Sequence, residues 1–334
     1  MIDVCKRIYE SMADPKIYRT RGNTGLYPSQ ASVALDNGNV VGSCHRQIYY
    51  QWKGFEATED SVTDYTLSAE MGNWMHDGIV NYLKSHVVST DLIVLSDEQA
   101  FFNTKQMVSG RTDVFMMDVP TKEIFGVEIK SVGAFAGKES LYQPAMSHLL
   151  QSAIYLNEYQ LTSGQGYSPV DSWVILYISG DEGWDLKARR HGSPFRFMWQ
   201  FTCKFEDEKL TVYDQSGNRT VHPEITVANI AKRFDKIKDE LKKNTLPDRD
   251  FEAQYSEERI MGLHTTGLIR FKKDIAVVDK WIKKGAIEGE LDLKLGDKEC
   301  MFCSFVSLCY SDKPEDGTVK KQKLFSMKDA PEKA

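Results

Sequence analysis

The chain has 334 residues, of which 41% are hydrophobic and 27% are charged, and these shares are typical of globular proteins. They exclude a disordered chain, and the 23 glycines and 10 prolines exclude a collagen-like or low-complexity one. With 42 basic and 48 acidic residues the net charge is −6, which excludes a protein that coats nucleic acid indiscriminately.

Hydrophobic periodicity and turn residues predict the secondary structure in chain order. The first half is predicted to contain a helix over 1–20, a loop over 21–43, helices over 45–54 and 68–85, and strands over 92–95, 99–103, 111–118 and 124–131. The second half is predicted to contain a helix over 147–159, a strand over 172–179, a polar loop over 180–195, a strand over 197–205 and a charged helix over 226–244.

This order of elements indicates an α/β fold with additions at both ends. We assign an N-terminal helical segment to 1–67, a core to 68–225 with an insertion at 160–225, a C-terminal helical and cysteine-containing segment to 226–310 and a disordered tail to 311–334. No apolar run approaches the ~20 residues of a membrane-spanning helix. The start of the chain lacks the basic-then-apolar order of a secretory signal, so we expect a soluble, cytoplasmic protein with no membrane partner.

Two acidic residues fall on neighbouring predicted strands. The midpoint between Asp113 and Glu128 lies between Pro120 and Thr121, where the turn of a hairpin is predicted. A hairpin without a bulge would therefore place Asp113 directly across from Glu128, where like charges are destabilising unless a cation lies between them. The alternation of side chains also places Glu128 and Lys130 on one face of the sheet, opposite an apolar face that contains Val114, Met116, Val127 and Ile129.

This pattern suggests a hydrolytic metal site. Two carboxylates with open coordination positions hold Mg²⁺ or Mn²⁺, and the metal polarises a phosphodiester and activates a water. A nearby ammonium, here that of Lys130, stabilises the developing charge. The alternative interpretation is an ordinary amphipathic hairpin whose charges are solvated.

Two helical features lie on either side of this hairpin in the sequence. Gly72 precedes His76 by one helical turn, which would leave room beside the imidazole, and a histidine ligand would favour Mn²⁺. Gln151 and Tyr155 share a helix face and are candidates for contacts with substrate. The alternatives are a partly buried helix histidine and a helix surface pair.

Three closely spaced cysteines near the C-terminus predict a metal site. Cys300, Cys303 and Cys309 form a C-x2-C-x5-C pattern, and Cys44 is the expected fourth ligand. Cys203 is expected in the core, and Cys5 is expected to be free. Four cysteines suit zinc or an iron–sulfur cluster, and the spacing alone leaves both open.

Basic and aromatic side chains indicate where a polyanion would bind. The basic candidates are Lys232, Arg233, Lys236, Lys238, Lys242, Lys243, Lys272 and Lys273, and the candidates for stacking are Tyr49, Tyr50 and Trp52. The alternatives are a solvated charged face for the helix over 226–244 and core packing for the aromatics.

Taken together, the ordered motifs resemble the PD-(D/E)XK nuclease superfamily, and most closely its RecB-like branch with an iron–sulfur cluster, which includes the exonuclease of CRISPR adaptation and the AddB nuclease domain. The resemblance spans 44–309 and is carried by Cys44, Gly72 and His76, Gly110-Arg111-Thr112-Asp113, Glu128-Ile129-Lys130, Gln151 and Tyr155, and Cys300, Cys303 and Cys309. Two positions depart from the family pattern: Thr112 replaces the proline of the superfamily name, and His45-Arg46-Gln47 follows Cys44 where the branch often has proline and arginines.

The resemblance implies a restriction-endonuclease-like α/β core, which is a mixed sheet flanked by helices. It also implies that a metal cluster bound by four cysteines holds the N- and C-terminal segments together. It implies that His76, Asp113, Glu128 and the Ile129 carbonyl bind Mg²⁺ or Mn²⁺, that Lys130 is the catalytic lysine, and that Gln151 and Tyr155 orient substrate and lysine. It also implies a structural [4Fe–4S] cluster on Cys44, Cys300, Cys303 and Cys309, with zinc as the alternative occupant.

The expected function is a metal-dependent DNA exonuclease from a bacterium, an archaeon or a phage that acts on single-stranded or frayed ends. One alternative is a non-catalytic DNA-binding or assembly subunit with a zinc or iron–sulfur clip. Another is a zinc-clipped protein that only binds other proteins. A homo-oligomer and a recombination or repair protein are both open as partners.

Overall fold

A computed structural model describes most of the chain as two compact units. The described residues are 25–59, 63–86, 91–133, 140–161, 170–179, 198–269, 271–284, 291, 293 and 295–315, and the description leaves out the side chains of 63–69, 160 and 161. Unit 1 comprises Met1–Ser43 and Ser61–Thr245, and unit 2 comprises Cys44–Asp60 and Leu246–Ala334. These bounds differ from the segments predicted from the sequence, because 44–60 belongs with the C-terminal part and the helix after 226 belongs with the core.

The described elements alternate between helices and strands, as expected for an α/β chain. The helices are α1 (His45–Lys53), α2 (Thr63–His86), α3 (Met146–Leu161), α4 (Val227–Lys243), α5 (Glu257–Thr265), α6 (Lys272–Lys283), α7 (Lys298–Met301) and α8 (Val306–Cys309). The strands are β1 (Ser32–Ala34), β2 (Val40–Gly42), β3 (Leu92–Asp97), β4 (Ala100–Asn103), β5 (Val108–Arg111), β6 (Val114–Asp118), β7 (Ile124–Val132), β8 (Ser172–Ser179), β9 (Met198–Glu206), β10 (Lys209–Asp214) and β11 (Arg219–Thr226). None of the described helices is both long and apolar enough to cross a membrane.

Within the described residues, unit 1 is built on a seven-stranded mixed sheet with the order β11-β10-β9-β8-β7-β6-β3. Strands β7 and β8 run parallel, and the other neighbours in this sheet run antiparallel. Helix α3 lies between β7 and β8 in the chain, as a parallel connection requires. The smaller ladders β1–β2 and β4–β5 are also antiparallel.

Helices cover both faces of this sheet. On one face, Val80 of α2 packs in an apolar cluster whose other buried members come from the strands, namely Val114, Met116, Val127, Ile129, Val174 and Ile178. On the opposite face, Tyr155 and Tyr159 of α3 stack on Trp173 of β8, with ring centroids 5.1 Å and 6.1 Å away. Part of the sheet therefore lies between α2 and α3, which is the layered arrangement predicted for the core.

Unit 2 joins the segment around α1 to the C-terminal part of the chain. The backbone nitrogen of His45 donates to Asp250 Oδ2 at 2.8 Å, and that of Thr58 donates to the Ser304 carbonyl at 2.9 Å. A separate apolar cluster has its buried residues at Ile260, Ile269, Val278 and Leu291, and the partly buried Ile275 and Trp281 of α6 pack against it.

Most predicted elements are confirmed, with two corrections. The segment 21–43 is predicted as a loop, but it contains a 3-10 turn at Pro28–Gln30 and the paired strands β1 and β2. The strand predicted over 111–118 is interrupted at Thr112 and Asp113, so that β5 and β6 belong to different ladders. Strands β10 and β11 and helices α5 to α8 were not predicted. The predicted helix 1–20, the loop 180–195 and the tail beyond 315 lie outside the described residues.

Gly126 allows the closest approach between the sheet and its aromatic cover. A Cβ atom at this position would lie 2.3 Å from the Trp173 ring, and Trp173 is fully buried.

We expect Gly126→Ala to destabilise the protein by about 1–3 kcal/mol, because a large buried ring must move. The matched variant is Gly78→Ala on an exposed position of α2, where a Cβ atom would contact nothing within 4 Å. It should stabilise by up to ~1 kcal/mol, since alanine favours helix. Denaturant midpoints measure both, and equal shifts would contradict this account.

Candidate functional site

The hairpin of β6 and β7 places two acidic side chains next to each other. The ladder pairs Val114 with Val127 and Phe115 with Gly126, so the next pair beyond it is Asp113 and Glu128. Asp113 Oδ2 accepts a hydrogen bond of 2.6 Å from the backbone nitrogen of Ile129. The predicted register is therefore confirmed, and the carboxylate of Asp113 is fixed against the backbone of β7.

Lys130 and Glu128 form an ion pair on the face covered by α3. Lys130 Nζ lies 2.6 Å from Glu128 Oε1, and the Glu128 side chain is 3% exposed. The alternation along β7 accounts for this contact, because residues two apart point to the same side of the sheet. The predicted shared face of Glu128 and Lys130 is confirmed.

Gln151 connects both members of this ion pair. Its Oε1 accepts from Lys130 Nζ at 3.1 Å, and its Nε2 donates to Glu128 Oε1 at 2.8 Å and to the Tyr155 hydroxyl at 3.2 Å. The Tyr155 hydroxyl in turn donates to the backbone carbonyl of Arg111 at 2.9 Å. Gln151 and Tyr155 therefore hold Lys130 and Glu128 in one orientation from α3.

His76 reaches the same site from α2. Its Nε2 lies 3.2 Å from Asp113 Oδ1, and its Nδ1 lies 3.3 Å from Asp77 Oδ1. The close contact with the Asp113 carboxylate raises the pKa of His76 to about 9, against the opposing effect of burial. The imidazole is therefore protonated at neutral pH and balances the charge of Asp113.

The spacing of Gly72 and His76 predicted that Gly72 makes room for the imidazole, and this prediction is wrong. A Cβ atom there would lie 2.9 Å from Ser131 Oγ. The missing side chain instead allows α2 to approach β7 next to Lys130. The error arose because a helical repeat shows which residues share a face but does not show which neighbour they contact.

Glu128 combines burial with an unused acceptor. Burial raises the pKa of its carboxyl, the ammonium of Lys130 opposes that shift, and the charge of Asp113 adds to it. Its Oε2 is buried and has no hydrogen-bond partner among the described residues. A buried acceptor without a partner is costly, so this oxygen is where a cation would stabilise the site most.

The side chains of this site are of the types that bind a divalent cation, although in this structure they form ion pairs with each other and with Lys130. Two carboxylates and an imidazole are ligands for Mn²⁺, and carboxylates alone suffice for Mg²⁺. Across the described ranges, however, no three or more His, Cys, Asp or Glu side chains are arranged so that they could hold a metal ion. His76 and Lys130 occupy the two carboxylates as ion pairs, so a metal would have to displace a proton and shift these side chains. The roles of His76, Asp113, Glu128 and the Ile129 carbonyl as ligands stay predictions.

Unit 2 contains the second candidate site, a pocket that all four predicted cysteine ligands line. Cys44, Cys300, Cys303 and Cys309 share it with aromatic, apolar and charged residues. Cys44 immediately precedes α1, Cys300 lies on α7 and Cys309 ends α8. Among the described residues, these cysteines are not arranged closely enough to count as a group that could hold a metal ion. The iron–sulfur cluster and the zinc ion therefore both stay predictions.

The chemistry of the pocket fits a metal that binds thiolates. Burial raises the pKa of Cys44, and burial together with the neighbouring thiols raises the pKa of Cys300 and Cys303 to about 12. Without a cation these thiols keep their protons, and a bound metal would displace them. Cys203 lies elsewhere, fully buried on β9, which confirms its predicted place in the core, and Cys5 lies outside the described residues.

Two arginines converge on Cys309, and the sequence analysis did not assign them to this pocket. Arg249 Nη2 donates to the Cys309 carbonyl at 2.8 Å, and Arg46 Nη1 lies 3.8 Å from Cys309 Sγ. Arg46 Nε also donates to the Pro247 carbonyl at 2.8 Å, so this side chain is engaged inside unit 2. The position of Arg46 two residues after Cys44 was the available signal. Guanidinium groups beside four thiolates would offset the negative charge of a cluster or zinc site.

Two of the three candidates for stacking take the alternative role, which is core packing. Tyr49 and Tyr50 are buried, and Tyr50 packs against Phe55 and Phe305 with ring centroids 5.6 Å and 5.5 Å away. These rings are fixed in the core of unit 2, so no base could stack on them.

Comparison with known proteins gives distant similarity to solved structures only. No family model and no curated protein matches the chain. Among solved structures, an alkaline exonuclease (LHK-Exo) from Laribacter hongkongensis is similar over 53% of this chain and 69% of that one, with 10% sequence identity and a TM-score of 0.31.

The pair of His76 and Asp113 gives a pH-dependent prediction. In Asp113→Asn, we expect the pKa of His76 to fall well below about 9, because the largest cause of its raised value is lost and only the smaller effect of Asp77 still opposes burial. The raised pKa of His76 makes the pair stabilising below pH 6.5, and this contribution is lost as the pH rises through about 9. This pH dependence of stability should therefore be much smaller in the variant. NMR titration of the imidazole measures the pKa. Asp77→Asn is the control, because Asp77 also contacts His76 but is largely exposed, and a pKa that stays near 9 in Asp113→Asn would contradict the assignment.

Proposed function

We propose that this chain is a divalent-metal-dependent deoxyribonuclease, an exonuclease that acts on single-stranded or frayed DNA ends. The observation that carries the proposal is the contact network around Glu128, in which Lys130 and Gln151 meet beside Asp113 on one hairpin. An ordinary amphipathic hairpin would leave its charged side chains in water, whereas Glu128 is buried with an unused oxygen. Such a costly arrangement is typical of functional sites.

Each side chain has a role that follows from its contacts. Asp113, Glu128 and His76 would hold Mg²⁺ or Mn²⁺ together with the Ile129 carbonyl, and the bound ion would lower the pKa of a water and polarise the phosphodiester. Lys130 would donate a hydrogen bond to the phosphate as negative charge develops on it. Gln151 fixes Lys130 through its Oε1, and Tyr155 fixes Gln151.

The cysteine pocket has a structural role in this proposal. Cys44, Cys300, Cys303 and Cys309 would bind a [4Fe–4S] cluster that links the segment around α1 to the C-terminal segment within unit 2. The support is that the four side chains line one buried pocket with two arginines beside it. Because metal binding couples to folding, this site would stabilise unit 2.

A second candidate is a non-catalytic subunit that binds DNA. It is favoured by the two ion pairs, since His76 and Lys130 satisfy both carboxylates without a metal. Cleavage of end-labelled DNA with Mg²⁺ or Mn²⁺, and its loss with EDTA, distinguishes the two candidates. If the wild-type protein binds DNA and never cleaves it with either metal, the second candidate replaces the first.

Removal of Lys130 tests the catalytic assignment. We expect Lys130→Met to reduce cleavage of end-labelled single-stranded DNA by about 100-fold or more, because a donor to the developing charge is lost. Lys204→Met is the matched control, because Lys204 also pairs with a glutamate on the sheet, Glu123 at 3.1 Å, and lies outside the network. It should cleave like the wild type. Equal activity of the two variants would remove Lys130 from the mechanism.

Removal of one cysteine tests the cluster. Protein purified without oxygen should contain about four iron atoms per chain, the content of one cubane cluster, and should be brown. Cys303→Ala should lose the iron and the colour and should unfold more easily. Cys203→Ala should keep the iron, since Cys203 lies on β9 in the core of unit 1. A colourless wild-type protein with one zinc per chain would establish zinc as the occupant instead.

A further inference from the structure

Helix α6 of unit 2 carries an unusual concentration of exposed positive charge. Lys272, Lys273, Lys280 and Lys283 lie on it, Lys284 caps it, and all five are exposed. At 100° per residue these five side chains fall within an arc of roughly 120° on one side of the helix. They form what we call the lysine ridge.

The opposite side of α6 is fixed against unit 2. Val278 is buried, and Ile275 and Trp281 pack with it in the apolar cluster around Ile260 and Leu291. The buried side lies about 180° from the centre of the ridge on the helical wheel. The packing of α6 therefore holds the ridge towards solvent.

The acidic residues of α6 do not neutralise the ridge. Asp274 is buried at the first turn, and Asp279 is paired with His264 Nε2 at 3.0 Å. In the described part of the chain, no ion pair joins a ridge lysine to an acidic side chain. The ridge thus concentrates five positive charges in a chain whose net charge is −6.

Helix α4 has six basic residues and shows the contrast. Lys238 Nζ lies 2.5 Å from Asp235 Oδ1, and Lys236 Nζ lies 3.8 Å from Glu240 Oε1. Arg233 is buried and its Nε donates to Ser32 Oγ at 3.0 Å. The sequence-based proposal of α4 as a contact for DNA is therefore weakened, because much of its charge is used within unit 1.

We propose that the lysine ridge is a docking surface for the phosphate backbone of a nucleic acid strand, separate from the candidate active site. The ridge is about 18 Å long at 1.5 Å per residue, so it is long enough to contact several successive phosphates of one strand. The choice of nucleic acid as the polyanion rests on the proposed nuclease function. Lysine ammonium groups bind successive phosphates without reading sequence, so the ridge would supply affinity and not specificity.

An anionic membrane is the competing polyanion, and the packing of α6 disfavours it. A basic helix that binds a bilayer inserts its apolar side among the lipids. Ile275, Val278 and Trp281 of α6 are already packed in its own cluster. The exposed Val277 and Ile282 lie about 140° apart on the helical wheel, so they form no continuous apolar face for insertion. What α6 offers to a partner is charge, which suits a phosphate backbone.

The test is the binding of a fluorescein-labelled single-stranded oligonucleotide, measured by anisotropy in EDTA so that no cleavage occurs. Replacing Lys280, Lys283 and Lys284 by Gln should weaken binding at least about tenfold at low salt. It should also reduce the slope of log affinity against log salt by about 2, since each lost contact to a single strand removes about 0.7. The same three positions changed to Arg should keep wild-type binding.

The matched control removes the same charge from α4. The triple variant Lys232→Gln, Lys236→Gln and Lys242→Gln should change the affinity less than twofold. Equal losses in the α4 and α6 variants would overturn the proposal, because they would reflect net charge alone. Unchanged oligonucleotide binding in the α6 variant would also overturn it, and so would a loss of binding to phosphatidylserine vesicles alone.

Cleavage of a small substrate separates this inference from the proposed function. Thymidine 5′-p-nitrophenyl phosphate is too small to need a ridge, so the α6 variant should cleave it like the wild type. If the wild type does not cleave it while the α6 variant loses oligonucleotide binding, the nuclease proposal fails and the docking surface stands. If cleavage is normal and the α6 variant binds the oligonucleotide normally, the docking surface fails and the nuclease proposal stands.

Discussion

The candidate active site depends on the repulsion between two carboxylates that β6 and β7 hold opposite each other. The register of the hairpin brings Asp113 next to Glu128, and the burial of Glu128 removes the water that would screen them. Positive charge must therefore gather around them. His76 meets Asp113 from α2, and Lys130 meets Glu128 along β7. This requirement for cations comes from the backbone pairing, so it exists before any metal or substrate binds.

The layers of unit 1 fix that register. A shift of one residue in β7 would move Glu128 from the face of α3 to the apolar face under α2. It would also break the fit between Gly126 and the ring of Trp173, on which Tyr155 stacks. Tyr155 in turn contacts Gln151, which binds both Lys130 and Glu128. The packing of α3 therefore supports the hairpin register and the orientation of Lys130 together.

The sequence could predict the features that depend on the period of a strand or a helix. The opposition of Asp113 and Glu128 followed from the position of the turn, and the shared face of Glu128 and Lys130 followed from alternation. Contacts between elements were beyond such reasoning: Gly72 faces Ser131 and not His76, and Arg249 meets Cys309 across a gap of sixty residues in the chain. Strand β11 was missed because polar residues and Pro223 interrupt its alternation. Strand β10 has the length of a predicted strand such as β3, so it was within reach of the sequence.

The distribution of charge indicates that the candidate active site and the surface that binds a polyanion are different parts of the chain. At the candidate active site, His76 and Lys130 are each matched by a carboxylate, so the four groups together have no net positive charge to attract a phosphate. The chain as a whole is also acidic. A polyanion would therefore gain little from the site until a divalent ion adds charge there. The lysine ridge on α6 has the surplus that the site lacks, because its neighbouring acids are buried or paired with His264. A chain with this distribution needs a binding surface outside the reacting centre, and unit 2 has one.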